Sequence, residues 1–167
     1  MSVVVCKVNK DNIEVAADSI CVSGWSKLPH GVGKNIKLAS VNGTVIGGCG
    51  TAEEISLFFC YAQTHSIATP VTANNVLNFI LEFRDWKSNY TRTSTFENTY
   101  IIACDGKAYY VEGMLVMPID NYCAIGAGRD FANGALYMGA TAEQAVQAAC
   151  ELCAMVAEPI VVERISK

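Results

Sequence analysis

Short apolar runs separated by polar turns recur along the chain, a pattern typical of antiparallel strands joined by hairpins. Two of the turns, Asn42-Gly43 and Asp105-Gly106, favour tight hairpins, because their residues tolerate the positive φ that such turns require. A third polar turn lies over residues 9–12. The pattern predicts strands over residues 2–7, 13–17, 36–41, 44–46, 100–104, 108–112, 122–125 and 160–165.

Between the hairpins, apolar residues recur at helical spacing. The predicted helices cover residues 51–65, 72–86, 129–138 and 142–157. The first begins with Thr51 and Glu54, which fit a capping box, and the last is capped by Thr141. This order of elements predicts an α+β fold of four layers, in which two antiparallel sheets pack face to face and helices cover both outer faces. We expect one domain over residues 1–167 with this αββα sandwich.

Composition and charge narrow the classes of function. Of the 167 residues, 51% are hydrophobic, and the mean hydropathy of +0.27 suggests that part of the apolar surface lies in subunit interfaces. No apolar run reaches the length of a membrane span, and the N-terminus lacks the features of a secretory signal. The formal net charge of -4 offers no electrostatic footprint for nucleic acid. We therefore predict a cytoplasmic protein without membrane or nucleic-acid partners.

The eight cysteines predict neither disulfides nor a metal site. In a reducing compartment they behave as small, mostly buried hydrophobic residues. Cys150 and Cys153 form a CxxC motif inside a predicted helix, without the second pair or the nearby histidine that a zinc site requires. We expect no cofactor.

The residue after the initiator offers a nucleophile. Once Met1 is removed, Ser2 would carry both a hydroxyl and a free α-amine, and the amine can accept the hydroxyl proton. Serine is also common after an initiator, so this position alone decides nothing. A cysteine nucleophile is an alternative with less support, because Cys6 would require cleavage after Val5 and Cys49 lacks a suitably placed base.

Three further features fit a site around that amine. Asp18 ends a predicted strand, where its carboxylate can hold a lysine, and Lys34 just precedes a strand, where a buried ammonium would tune the amine. Gly47, Gly48 and Gly50 lie between a strand and a helix N-terminus, where exposed amides can stabilise an oxyanion. Each feature also has an ordinary explanation, as a turn acceptor, a solvated lysine or a tight turn.

These residues together resemble the proteasome β-subunit family, most closely its bacterial HslV-like branch. Without a gap from residue 1 to about residue 50, the family pattern places the nucleophile on Ser2, the strand-end aspartate on Asp18, the lysine on Lys34 and the oxyanion-hole glycine on Gly48. The segment AIGAGRDFANGALYMGATAEQAVQAA resembles the strand, glycine turn and helix pair that back the family's active site. The resemblance covers essentially the whole chain.

The resemblance implies the fold, the chemistry and the partners. Ser2 would attack a peptide carbonyl while its α-amine takes the proton, Lys34 would tune both groups, and Asp18 would orient the lysine. The Gly48 amide would hold the oxyanion. The substrate-binding residues implied are Val22, Ile46 and Gly50. The family assembles into homo-oligomeric stacked rings that enclose the active sites, and in the HslV-like branch an ATP-dependent unfoldase feeds unfolded polypeptide into them.

Two positions depart from the family pattern. The family nucleophile is usually threonine, whose branched Cβ restricts χ1, so serine predicts slower turnover. The family usually carries a serine where this chain has Ala127, which removes a hydrogen bond to the terminal amine. These departures, and the need to remove Met1, leave a second hypothesis open, namely a ring protein of the same fold with a structural or scaffold role.

Overall fold

The computed structural model describes residues 1–29, 36–91 and 95–167. Its strands are β1 (Val3–Val8), β2 (Asn12–Ala17), β3 (Val22–Ser23), β4 (Ser26–Lys27), β5 (Leu38–Val41), β6 (Thr44–Cys49), β7 (Thr99–Cys104), β8 (Lys107–Glu112), β9 (Leu115–Pro118), β10 (Tyr122–Gly126) and β11 (Val161–Ser166). Its helices are α1 (Ala52–Thr64), α2 (Ala73–Lys87), α3 (Arg129–Tyr137) and α4 (Ala142–Leu152). Within these ranges, no helix combines the length and the apolar character needed to cross a membrane.

Two antiparallel sheets form the centre of the fold. The first has the strand order β10-β1-β2-β11, and the second has the order β5-β6-β7-β8-β9. In the first sheet, Val5 lies opposite Ala16 on one neighbouring strand and Ala124 on the other. In the second sheet, Ile46 lies opposite Ile102. The short β3–β4 hairpin belongs to neither sheet.

Three apolar layers hold the sheets and helices together. Side chains alternate across a strand, so each sheet presents one face to the other sheet and one face to helices. The layer between the sheets includes Val4, Cys6, Ile13, Val15, Leu38, Val45, Ile101 and Ala103. The layer under α1 and α2 includes Ile46, Phe58, Tyr61, Phe79, Ile80, Phe83 and Tyr100. The layer under α3 and α4 includes Val3, Ala16, Ala132, Leu136, Ala145 and Val146. The predicted αββα arrangement is confirmed.

Packing on both sides of β6 requires glycine. A Cβ atom on Gly47 would lie 2.5 Å from Cγ1 of Val4 in the facing sheet. On the opposite face of the strand, a Cβ atom on Gly48 would lie 2.8 Å from the ring of Tyr100 and 3.0 Å from Ile55. Neither position accepts a side chain unless its neighbours move. These glycines therefore allow the facing sheet and α1 to approach the strand closely.

The predicted hairpins agree with the structure. Asn42 and Gly43 have φ values of 50° and 74°, and Asp105 and Gly106 have φ values of 52° and 68°, as tight hairpin turns require. The strands β3, β4 and β9 were not predicted. The first two are only two residues long, and β9 lies at the edge of its sheet.

The capping box predicted at the start of α1 is wrong. Thr51 makes no side-chain cap hydrogen bond. Glu54 turns into the protein, where it accepts hydrogen bonds from Lys87 Nζ at 2.7 Å and from the backbone N–H of Asn98 at 3.1 Å. Buried tertiary partners have replaced the local helix cap. Thr141 caps α4 as predicted.

Candidate active site

Asp18, which directly follows β2, receives hydrogen bonds from several segments of the chain. Its carboxylate accepts the backbone N–H of Val3 at 2.8 Å, and Lys37 Nζ lies 2.8 Å from each carboxylate oxygen. The backbone N–H groups of Ile20 and Ala157 donate to it at 3.3 Å. Asp18 is 1% exposed and Lys37 is 4% exposed. The ion pair is therefore buried, and its hydrogen bonds fix the carboxylate against β1.

The lysine that the structure places on Asp18 is Lys37, three positions after the predicted Lys34. Lys34 lies outside the described residues. Lys37 immediately precedes β5, and its carbonyl oxygen accepts the N–H of Gly48 at 2.8 Å, which ties its backbone to β6. The prediction of Lys34 rested on an ungapped spacing from Ser2. The structure shows the pairing with a lysine that this spacing did not select.

Ser2 lies directly before β1 and is 4% exposed. Its hydroxyl donates to the carbonyl oxygen of Met1, and its own carbonyl accepts the N–H of Gly128 at 3.3 Å. Met1 is 49% exposed. The N–H of Val3, the next residue, is the group that donates to Asp18. Ser2 is thus one peptide unit away from the buried ion pair.

Cys49, at the end of β6, brings the second sheet to Ser2. The Ser2 hydroxyl and the charges of Lys37 and Asp18 all influence the pKa of the Cys49 thiol. A Cβ atom on Gly126 would lie 2.4 Å from the carbonyl oxygen of Ser2 and 2.8 Å from Cys49 Sγ, so both groups pack against the glycine backbone. The structure therefore brings together Ser2, the ion pair and Cys49.

The two cysteines considered as nucleophiles are held as neutral thiols. Burial, the largest effect, raises the pKa of the Cys49 thiol to about 12 despite the lowering effect of Lys37. Burial also raises the pKa of Cys6 to about 12. Because the thiolate is the reactive form, these shifts disfavour a cysteine nucleophile.

The amides of Gly48 and Gly50 are in different situations. The Gly48 N–H already donates to the carbonyl oxygen of Lys37 at 2.8 Å, so it can serve an oxyanion only by giving up this bond. Gly50 is exposed, whereas every residue of β6 before it is buried. In the described part of the chain, the Gly50 N–H meets no hydrogen-bond acceptor. Of these two glycines, Gly50 is therefore the exposed one, and its N–H is unbonded within that part of the chain.

The residues expected to bind substrate are not equally accessible. Ile46 is 0% exposed, and its side chain packs in the layer under α1 and α2, so it does not line an open pocket. The reason is the alternation along β6, which points Val45 and Cys49 toward the other sheet and Ile46 away from it. Val22, in the β3–β4 hairpin, is partly exposed.

Sequence reasoning missed two residues of this region. Lys37 is the second lysine of GKNIKL and directly precedes a strand. The sequence alone does not show that its side chain is buried, which is what identifies it in the structure. Asn98, just before β7, donates to the carbonyl oxygen of Thr51 at 2.9 Å and accepts its N–H at 2.8 Å. Nothing in the sequence links these two positions, which are far apart in the chain.

Solved structures with this fold include two of BPH from Thiobacillus denitrificans. The one in complex with epoxomicin has a TM-score of 0.86 and 18% sequence identity and covers 98% of each chain. The other has a TM-score of 0.85 and 18% identity and covers 98% of this chain and 97% of that chain. HslV from Trypanosoma brucei has a TM-score of 0.71 and 19% identity and covers 99% of each chain.

No protein-family model matches the sequence, and no curated protein matches it by sequence. The likeness is therefore one of three-dimensional structure. It confirms, at the level of the fold, the resemblance to HslV-like proteins. The chain shares its αββα fold with BPH from Thiobacillus denitrificans and HslV from Trypanosoma brucei.

Proposed function

We propose that this protein is an HslV-like peptidase that uses Ser2 as an N-terminal nucleophile once Met1 has been removed. The observation that carries the proposal is the buried Asp18–Lys37 ion pair, which is bonded to the peptide next to Ser2. A buried ion pair is costly unless its charges are well compensated, so its presence beside a candidate nucleophile favours a chemical role. The shared fold with proteasome-like peptidases supports the same conclusion.

In the proposed reaction, Ser2 Oγ attacks the carbonyl carbon of a peptide bond while the α-amine of Ser2 takes the hydroxyl proton. The tetrahedral intermediate collapses, the C–N bond breaks, and the proton passes to the leaving amine. This leaves an acyl ester on Ser2, which a water molecule activated by the same amine hydrolyses. The Lys37 ammonium disfavours a protonated amine nearby and stabilises negative charge on Oγ, and Asp18 orients the lysine.

We assign the oxyanion donor to Gly50 in place of Gly48. An oxyanion hole needs a donor that is free before the reaction and aimed where charge develops. The Gly48 N–H is bonded to Lys37, whereas Gly50 is exposed directly after Cys49, whose thiol neighbours Ser2. Removal of one such donor costs about 100- to 1,000-fold in kcat in comparable sites.

The proposal includes a single domain that assembles into homo-oligomeric rings around the active sites, with unfolded polypeptide as substrate, an ATP-dependent unfoldase as partner and a cytoplasmic location. Large apolar side chains remain exposed, which fits subunit contacts. Those on or near α3, α4 and β9 are Met114, Leu115, Met117, Phe131, Tyr137, Met138, Leu152 and Met155.

The second candidate function is a ring protein without catalysis. This function applies if Met1 is retained, because Ser2 then has no free amine. Ala127, where the family usually carries a serine, points the same way. The two functions differ in one chemical respect, the state of the Ser2 nitrogen.

A hydrolysis assay distinguishes them. The full chain is incubated with an unfolded polypeptide and with short fluorogenic peptides, beside a Ser2→Ala variant and a control, Ser40→Ala, at an exposed position of β5. The peptidase proposal expects cleavage by the wild type and the control and none by Ser2→Ala. Equal cleavage by all three, or none by any, would overturn it.

A further inference from the structure

Asn98 is a buried residue whose side chain forms hydrogen bonds with the turn between β6 and α1. It is 2% exposed. Its Oδ1 accepts the backbone N–H of Thr51 at 2.8 Å, and its Nδ2 donates to the backbone carbonyl of Thr51 at 2.9 Å. Both polar groups of one backbone residue are therefore held by a single side chain. This is the residue that follows Gly50.

Gly50 fits against Asn98 without room for a side chain. A Cβ atom at Gly50 would lie 1.9 Å from Asn98 Oδ1 and 2.4 Å from its Cγ. The φ of Gly50 is +141°, a backbone conformation that residues with side chains rarely adopt. Asn98 Oδ1 therefore both leaves no room for a side chain on Gly50 and accepts the N–H of the peptide that links Gly50 to Thr51.

Asn98 is itself held in place by a buried polar network. Its Nδ2 also donates to the hydroxyl of Tyr100 at 3.3 Å, and its backbone N–H donates to Glu54 at 3.1 Å. The Tyr100 hydroxyl donates to Glu54 at 3.2 Å, and Lys87 Nζ donates to Glu54 at 2.7 Å. The side chains of Lys87 and Glu54 are 5% and 7% exposed. A satisfied network of this kind rigidifies the segment that it contacts.

We propose that Asn98 is a positioning residue for catalysis, which holds the Gly50–Thr51 turn so that the Gly50 N–H faces the developing oxyanion. This inference rests on the proposed function of Ser2. In the contacts described above, Asn98 touches neither the nucleophile nor the ion pair. It acts through the Thr51 backbone, to which it is hydrogen-bonded. Preorganised donors are effective because they need no reorganisation during the reaction.

The test compares two ligands that differ only at the reacting carbon. A peptide aldehyde adds Ser2 Oγ across its C=O bond, with the hydroxyl proton moving to the α-amine or to the new oxygen, so its hemiacetal oxygen lies where the oxyanion forms. The matching peptide alcohol binds without that oxygen. We expect Asn98→Ala to weaken aldehyde inhibition roughly 10- to 100-fold. Alcohol binding should stay within about twofold, because uniform binding is unaffected.

Two further variants make the test specific. Asn75→Ala is the matched control, because the Asn75 side chain also bonds backbone carbonyls but lies at the exposed start of α2. It should leave aldehyde inhibition unchanged. If Asn98→Ala does not fold, Tyr100→Phe carries the test, because it removes one partner of Asn98 Nδ2 and keeps the ring. We expect a weakening of aldehyde inhibition of about two- to fivefold for this milder change.

The outcomes separate the two proposals. Equal aldehyde inhibition of the wild type and of the folded variant would overturn the role of Asn98 and leave the proposed peptidase intact. Parallel losses of aldehyde and alcohol binding would also overturn it, since they indicate a general structural effect. No inhibition of the wild type by the aldehyde would overturn the proposed function, and this inference with it.

Discussion

Lys37 Nζ lies 2.8 Å from both carboxylate oxygens of Asp18, in a pair that is almost completely withdrawn from solvent. The same carboxylate accepts the N–H of Val3, which links the pair to the peptide beside Ser2. Removing one partner of a buried pair leaves an uncompensated charge, whereas removing both charges does not. This difference separates the effect of the pair on folding from its effect on chemistry.

Lys37→Met should abolish peptide hydrolysis and lower the free energy of unfolding by about 3–5 kcal/mol, because it leaves the buried Asp18 carboxylate without its counter-charge. Asp18→Asn combined with Lys37→Met should restore part of that stability without restoring hydrolysis. Urea unfolding and a peptide-cleavage assay measure the two effects. Lys27→Met, at an exposed position of β4, is the control and should change neither quantity.

The same assay decides between the two lysines. Lys34→Met should retain hydrolysis if Lys37 is the lysine that tunes the nucleophile. Loss of hydrolysis in Lys34→Met, with activity kept in a folded Lys37→Met, would return the role to the lysine that the sequence spacing selects.

Gly47→Ala should destabilise the fold by about 1–3 kcal/mol, because its new methyl group would meet Val4 at 2.5 Å in the facing sheet. Gly134→Ala is the matched control, since it lies in α3 with nothing within 4 Å of the added methyl group. That variant should gain about 0.5–1 kcal/mol, as expected for alanine in a helix. Thermal unfolding of both variants checks the two opposite signs. Equal stability of Gly47→Ala and the wild type would contradict the close approach of the sheets.

Cys49 should resist alkylation in the folded protein at pH 8, because burial raises its thiol pKa to about 12 and leaves almost no thiolate. The exposed Cys60 should react under the same conditions. Mass mapping after iodoacetamide treatment, with and without denaturant, measures both. Rapid labelling of Cys49 in the native state would show a reactive thiolate and support a cysteine nucleophile.

The buried thiols also predict how stability depends on pH. In the unfolded chain a cysteine ionises near its ordinary pKa, but in the folded protein Cys6 and Cys49 ionise only near pH 12. Their stabilising contribution is therefore complete below the ordinary pKa and is lost as the pH rises toward 12. Each thiol adds up to about 1.4 kcal/mol per pH unit to this decline. Urea unfolding between pH 8 and about 10.5 should show a shallower decline for Cys49→Ala and an unchanged one for Cys60→Ala.

Patterns that depend on neighbours in sequence were sufficient for most of the fold. The alternation in the strands, the helical spacing and the turns at Asn42-Gly43 and Asp105-Gly106 depend on local geometry, and the structure agrees with them. The capping box predicted at the start of α1 was wrong because non-local contacts decide the structure there. There Glu54 has buried partners on α2 and before β7 that outweigh the local cap.

The candidate site was only partly predictable. The proximity of Ser2 and Asp18 could be predicted, because β1 and β2 form one hairpin whose fixed register brings the start of one strand beside the end of the other. The lysine partner of Asp18 was not predictable in this way, because Lys37 precedes β5 in the other sheet, where the register of β1 and β2 does not fix its position. The hydrogen bonds between Asn98 and Thr51 depend on the pairing of β6 with β7, which are separated in the sequence by α1 and α2. No pattern in the sequence predicts this contact.

The proposed peptidase requires that Ser2 becomes an N-terminal nucleophile. It is tested most directly by the mass of the N-terminal peptide after the purified protein is incubated with a peptide epoxyketone, an electrophile that captures a hydroxyl and an α-amine on the same residue. We predict a chain that begins at Ser2 and carries one inhibitor on that residue, with no adduct on Lys37→Met. A chain that keeps Met1 in every copy and forms no adduct would rule out Ser2 as the nucleophile.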